Sequence, residues 1–228
     1  VARFVQLSSV AAFGFDFPAN VDESHPLITN GNSYTDTKIT SEHTVLAAHA
    51  GGEMDCTIIR PGDVYGPASR AWVIVPLEMM KTRQFMLPAG GRGVFSPVYI
   101  DDLLDGIVLA AGKPEGAGQV FTLTSGVGVS CAEFFEHHWH WLGKQGSPPS
   151  MPIGLAIALA ATGARVARLL GHPSELGRGT VELLARPATY SIEKARRLLG
   201  YAPAVDLVEG MRRTEAWVRE KGLIGARR

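Results

Sequence analysis

The chain has 228 residues, room for one large domain or one and a half small ones at roughly 100–200 residues per domain. Apolar residues make up 46% and charged residues 19%, which is enough for a packed core and too few charges for a disordered chain. The 22 basic side chains match the 22 acidic ones, which argues against a dedicated nucleic-acid binder, and Cys56 and Cys131 are too few for a disulfide framework or a four-sulfur zinc site.

Residues 3–7 read as a strand, followed by a Ser/Ala turn to Gly14 and a loop rich in Pro, Asn and Asp to about residue 32. The chain thus opens at Val1 already in a strand, with no basic region leading a long apolar run, so no secretory signal is expected. The pattern of residues 33–49 predicts a helix with Tyr34, Lys38 and Glu42 four apart on one face, stopped by Gly51-Gly52. Residues 55–59 form a β-branched strand that should end at Arg60-Pro61-Gly62. A helix is expected over 73–82, a short strand over 97–100, and a helix capped by Asp101 or Asp102. Residues 120–124 read as a strand, and Ser130 with Glu133 as a capping box opening a helix to about residue 142. Residues 151–164 are almost wholly apolar but too short for a membrane span, which needs about 20 residues, so a buried or interfacial helix is expected. A short helix over 191–199 ends at Gly200. Asp206 and Glu209 open the last helix, with Leu207, Met211, Thr214 and Val218 on one stripe. Strands alternating with helices imply a parallel sheet covered on both faces, with chemistry at the carboxyl ends of its strands.

Two segments lie at such ends: Ser8-Ser9, and residues 60–67 with the sequence RPGDVYGP. A free Tyr has a pKa near 10 and is a poor base at neutral pH, but an ammonium held close favours the phenolate. Lys38, one helical turn after Tyr34, is such a neighbour. A Ser hydroxyl both donates and accepts, so Ser9 can hold the reacting oxygen of a substrate.

In order and spacing, Ser9 before Gly14, Tyr34-x-x-x-Lys38, RPGDVYGP, PVYIDDL at 97–103 and SIEKARRLLGYAP at 191–203 resemble the motifs of the extended short-chain dehydrogenases/reductases. That superfamily contains NAD(P)-dependent epimerases, dehydratases and 3β-hydroxysteroid dehydrogenases. The resemblance covers nearly the whole chain. It implies the carboxyl-terminal part of a Rossmann-type doubly wound parallel sheet (1–66 and 98–126) and a smaller, mostly helical substrate-binding lobe (67–97 and 127–228). It further implies Ser9, Tyr34 and Lys38 as catalytic residues, and Ser8, Tyr34, Lys38, Pro61, Gly62 and Val64 at the nicotinamide end of NAD or NADP. A homodimer through the Tyr34–Lys38 helix and a cytoplasmic location are expected. The family's Gly-rich pyrophosphate turn does not occur here, since Gly90-Gly91-Arg92-Gly93 lacks its spacing. About four strand–helix units, ~100–120 residues, are therefore expected before Val1.

Departures from the family's patterns bear on substrate. Val10 and Ala11 stand where its 4,6-dehydratases carry Asp-Glu. Asp63 stands where nucleotide-sugar epimerases usually carry Asn, and Phe95 where they tend to place an Arg. These changes disfavour a nucleotide diphosphate, although Arg70 or Arg92 could compensate. Ala11, Asp63, Arg70 and Phe95 are the substrate-facing candidates. The expected activity is oxidoreduction of a hydroxyl or carbonyl on a small apolar or alicyclic molecule. The alternatives are a nucleotide-sugar epimerase and a non-catalytic NAD(P) sensor. Of His137, His138 and His140, the first and last are three apart as a helical metal pair would be, but no third ligand is evident, so packed or surface histidines and no metal site are expected. Cys131, in a first helical turn, is placed where the dipole lowers a thiol pKa. Arg212, Arg213, Arg219, Arg227 and Arg228 are expected on a solvated face.

Overall fold

The computed structural model describes residues 3–29, 31–169 and 177–225, with the side chains at 164 and 166–169 excepted. Arg227 and Arg228 lie outside the described residues.

The fold is α/β. Strands β1 (Phe4–Leu7), β2 (Cys56–Pro61) and β6 (Gln119–Leu123) form a parallel sheet in the order β1-β2-β6. β2 is buried along nearly its whole length, as a strand covered on both faces must be. It runs through Arg60 to Pro61, two residues past the expected end, because β6 pairs with it on the side opposite β1 and continues to the Pro61–Leu123 partners. Pro at the last strand position then loses no bond of importance. The remaining strands are short. β3 (Asp63–Tyr65) pairs in parallel with β5 (Pro97–Tyr99), and β4 (Val94–Phe95) pairs antiparallel with β7 (Val129–Ser130).

Helix α1 (Ser33–Ala50) starts where Asn32 accepts hydrogen bonds from the amides of Tyr34 (3.1 Å) and Thr35 (3.2 Å). The helix expected over 73–82 is instead a π-helical turn, Arg70–Ile74, leading into α2 (Val75–Lys81). Pro76 supplies the reason. In an α-helix its amide would serve the carbonyl of Trp72, and proline has none. α3 (Ile100–Gly112) follows β5 with Tyr99 at the cap position and no side-chain cap. Neither Asp101 nor Asp102 caps it. Asp102 is buried and accepts from the amides of Ala204 (2.8 Å) and Val205 (3.2 Å), pinning the distant segment before the last helix. Ser130 caps α4 (Cys131–Trp141) through the Glu133 amide, and Asp206 caps α8 (Leu207–Glu220) through the Glu209 amide. Between them lie α5 (Ile153–Leu169), α6 (Arg178–Leu183) and α7 (Glu193–Leu199).

One apolar cluster joins the sheet to α3 and α7 through Ile59, Phe121, Leu103 and Ala195. A second gathers Leu77, Phe95, Phe134 and Met211 from α2, β4, α4 and α8. A third, with Phe13, Phe17, Val21 and Tyr190, fastens the long loop before α1 to the segment before α7. α5 is only partly buried: Ala156 is covered, whereas Ile153, Leu155 and Leu159 are exposed. Among the described residues no helix is long and apolar enough to cross a membrane.

Candidate active site

A cleft of about 890 Å³ opens at the carboxyl ends of β1 and β2, where parallel sheets place their ligands. Ser9, Ala11, Tyr34, Pro61, Gly62, Asp63, Val64 and Arg70 all line it, so eight of the eleven residues singled out in the sequence are brought together.

Each position follows from local chemistry. Ser9 ends the β1 segment in an extended conformation and caps a short 3-10 turn (Val10–Phe13). Its Oγ accepts from the Ala11 amide at 3.1 Å, which occupies a lone pair and leaves the O–H available as a donor. Tyr34 sits in the first turn of α1 with 55% of its surface exposed in the cleft wall. Gly62 is required by close approach: a Cβ there would lie 2.5 Å from the Ser96 carbonyl oxygen and 2.8 Å from Thr124 Cγ2. Arg70, in the π-helical turn, is exposed along the cleft.

Lys38 lies one turn behind Tyr34. Its ammonium is 5.7 Å from the centre of the Tyr34 ring and donates to the Leu7 carbonyl at 2.8 Å, which ties α1 to the end of β1. Ser8 is buried, and its hydroxyl has no partner among the described residues.

Two substrate-facing candidates are placed differently from expectation. Phe95 is fully buried, stacked on Phe134 at 3.9 Å and edge-on to Trp72, because β4 turns it into the core. Asp63 reaches the cleft but is buried, and its carboxylate is committed elsewhere. It accepts from the Ser96 amide (2.9 Å) and from the guanidinium of Arg186 (2.5 Å). Arg186 in turn donates to the Tyr190 hydroxyl at 3.2 Å. Burial opposes the charge on Arg186, but Asp63 beside it holds the guanidinium above its ordinary pKa, while burial pushes the Tyr190 phenol up to about 12.

No motif in the sequence points to Arg186, which is 123 positions from its partner. Trp72 was also missed, since a Trp between Ala71 and Val73 looks like ordinary core; it lines the cleft from the π-helical turn. The absence of an amide at Pro76 was the available signal. The carbonyl of Trp72 is taken up by Nε2 of His138, 2.9 Å away and therefore the donor. His138 is fully buried, and burial lowers its pKa to about 3, so it stays neutral. Cys131 corrects the expectation of a lowered thiol pKa: burial outweighs the helix terminus and raises it to about 12.

Residues 1–123 match the model of the NAD dependent epimerase/dehydratase family. The chain is 31% identical over 215 residues to a 4-hydroxy-2-methyl-3-oxo-4-farnesyl-3,4-dihydroquinoline-1-oxide ketoreductase of Stigmatella aurantiaca, covering 92% of this chain and 64% of the relative. It is 30% identical over 211 residues to a decarboxylating sterol-4-alpha-carboxylate 3-dehydrogenase of Schizosaccharomyces pombe, covering 87% and 61%. The chain therefore spans less than two thirds of the length of either relative. In fold it resembles UDP-glucose 4-epimerase of Thermotoga maritima (TM-score 0.71, 22% identity, 97% of this chain and 64% of that one). It also resembles UDP-glucuronic acid 4-epimerase of Bacillus cereus (TM-score 0.73, 19% identity, 97% and 62%). With more than half of its length matched by the family model, the chain belongs to the NAD dependent epimerase/dehydratase family.

Proposed function

We propose that this chain supplies the catalytic and substrate-binding part of an NAD(P)-dependent oxidoreductase that acts on a hydroxyl or carbonyl of a small apolar or alicyclic molecule. The observation that carries this reading is that Ser9 and Tyr34, from different elements, line one cleft with residues 61–64. The ketoreductase and 3-dehydrogenase named among its relatives support the reaction class.

The residues fit the nicotinamide end of NAD or NADP. The cleft lies at the sheet's carboxyl edge, the buried Ser8 hydroxyl just after β1 has no partner among the described residues, and Lys38 spends one donor on Leu7 and keeps others for a ribose diol. Bound there, the nicotinamide would give or take a hydride. Tyr34 moves the proton on the substrate oxygen, and Ser9 donates to that same oxygen. Lys38, fixed by the Leu7 carbonyl, stands beside the Tyr34 ring. Val10, Ala11, Phe15 and Trp72 give the cleft an apolar wall that excludes water.

The same proposal divides the chain into a cofactor-facing part (1–66 and 98–126) and a substrate lobe (67–97 and 127–228), supported by the apolar cluster of α2, β4, α4 and α8, which draws mainly on the lobe. It includes a homodimer through α1, whose outward face carries Ser33, Thr37, Thr40 and Thr44 and would make a polar seam. It also includes a cytoplasmic location, supported by two free buried thiols.

The test is NAD(P)H-linked turnover measured over a panel of apolar ketones, secondary alcohols and nucleotide sugars. Turnover of apolar ketones or alcohols is expected. Turnover of nucleotide sugars alone overturns the substrate assignment.

A further inference from the structure

A second cavity, about 460 Å³, lies between α2, α5 and α6. No charged side chain lines it among the described residues. Its wall is made of Val75, Met79, Phe85, Leu159, Val181 and other apolar groups, with Gln84 and Thr180 as the polar exceptions. Its size and lining match those of small-molecule pockets, which run to roughly 300–1,000 Å³ and are mostly apolar with a few placed polar groups.

The cavity adjoins the cleft of Ser9 and Tyr34. Ala71, Trp72, Gly177 and Thr180 line both. Trp72 is the shared side chain of greatest size, and it is held from two directions. Its ring meets Phe95 edge-on at 4.8 Å, and its carbonyl accepts from the buried His138. The π-helical turn, which Pro76 accompanies, brings Ala71 and Trp72 to the boundary between the two spaces. α5, whose apolar residues are too few to cross a membrane, contributes Ala156, Leu159, Ala160 and Gly163 to the cavity wall. Small residues at three of those four positions keep the space open.

We propose that this cavity is the tail site of a two-compartment substrate pocket. The substrate is an elongated ketone or secondary alcohol: its oxygen-bearing carbon lies at Ser9 and Tyr34, and an uncharged hydrocarbon chain passes Trp72 into the space between α2, α5 and α6. The inference rests on the oxidoreductase reading for the head of the substrate. The tail site itself stands on the cavity. Each methylene buried there contributes about fourfold in affinity.

Two measurements on the full protein separate these claims. The first is kcat/KM with NAD(P)H for a series of straight-chain 2-alkanones from butanone to tridecanone. It should rise at least tenfold along the series, and Gly163→Leu should flatten that rise. A Cβ at Gly163 meets nothing within 4 Å, so the added side chain is accepted by the helix and fills open space. The second needs no catalysis. 1-Bromododecane in the cavity should quench tryptophan fluorescence, and Trp72→Phe should remove most of that quenching. Quenching that depends on Trp72, without turnover of any ketone, retains the tail site and overturns the oxidoreductase reading. Turnover that is independent of chain length, with no Trp72-dependent quenching, overturns the tail site and leaves the reading of the cleft intact.

Discussion

Glu42 of α1 and Arg60 of β2 form a two-point ion pair, Nε to Oε1 at 2.9 Å and Nη2 to Oε2 at 2.7 Å, with both side chains almost wholly buried. Glu42 follows Tyr34 by two helical turns and Lys38 by one. The stripe therefore has a division of labour. Glu42 locks α1 to the central strand, Lys38 ties it to the Leu7 carbonyl, and Tyr34 is left free to face the cleft. Arg60 also lies 4.7 Å over the Phe13 ring, so the lock extends to the turn that Ser9 caps.

Removing one partner of a buried pair strands the other charge, which costs about 3–5 kcal/mol. Glu42→Gln should therefore lower unfolding stability in urea by about that much. Changing both residues, Glu42→Leu with Arg60→Met, should cost much less. A Glu42→Gln protein as stable as the parent would show that the pair does not set the position of α1.

The Asp63–Arg186 pair makes a parallel case between β3 and the segment after α6. Asp63→Asn leaves a fully buried guanidinium with only the Tyr190 hydroxyl and should destabilise the fold by about 3–5 kcal/mol. A double-mutant cycle with Arg186→Met should give a coupling of about 1–3 kcal/mol. Additive losses would mean that the two residues act independently.

Much of this was legible before any coordinates, and the reason is locality. Motif residues at strand ends and one helical turn apart are positioned by their own elements, so Ser9, Tyr34 and residues 61–64 meet as expected. Asn32, Ser130 and Asp206 act within three residues of themselves, so the Ser130 and Asp206 caps are legible from spacing. What escaped depends on partners far along the chain. Asp102 looked like a cap but serves amides 102 and 103 positions away. Asp63 lines the cleft as expected, but its pairing with Arg186, 123 positions away, is not visible in the sequence. Phe95 occupies a position with a family precedent, yet a two-residue strand gives no sequence period from which its inward direction could be read.

His138 predicts a pH dependence. Its folded pKa is depressed to about 3 from 6.5, so between those values the unfolded chain binds the proton and the folded chain does not. The stability it contributes is present above pH 6.5 and is lost as pH falls toward 3, at about 1.4 kcal/mol per pH unit well inside that window. His138→Gln retains a donor for the Trp72 carbonyl without the titration. Melting temperature should fall more steeply with acid in the parent than in the variant, and parallel curves would rule out this origin.

Cys56 and Cys131 are both fully buried, and burial raises both thiol pKa values, that of Cys131 to about 12. Neither should react with iodoacetamide in the native protein, and both should react in urea. Rapid native labelling of either would contradict the packing around α4 or β2.

The most direct test of the proposed chemistry is Tyr34→Phe, assayed for NAD(P)H-linked turnover alongside the parent. Tyr34 is more than half exposed, so losing its hydroxyl should leave the melting temperature within about a degree of the parent. Turnover should fall by about 10²–10⁴, the usual contribution of a positioned acid or base. A folded Tyr34→Phe protein that keeps near-parental turnover would contradict the assignment of proton transfer to this residue, and with it the reading of the cleft as a Ser9–Tyr34–Lys38 active site.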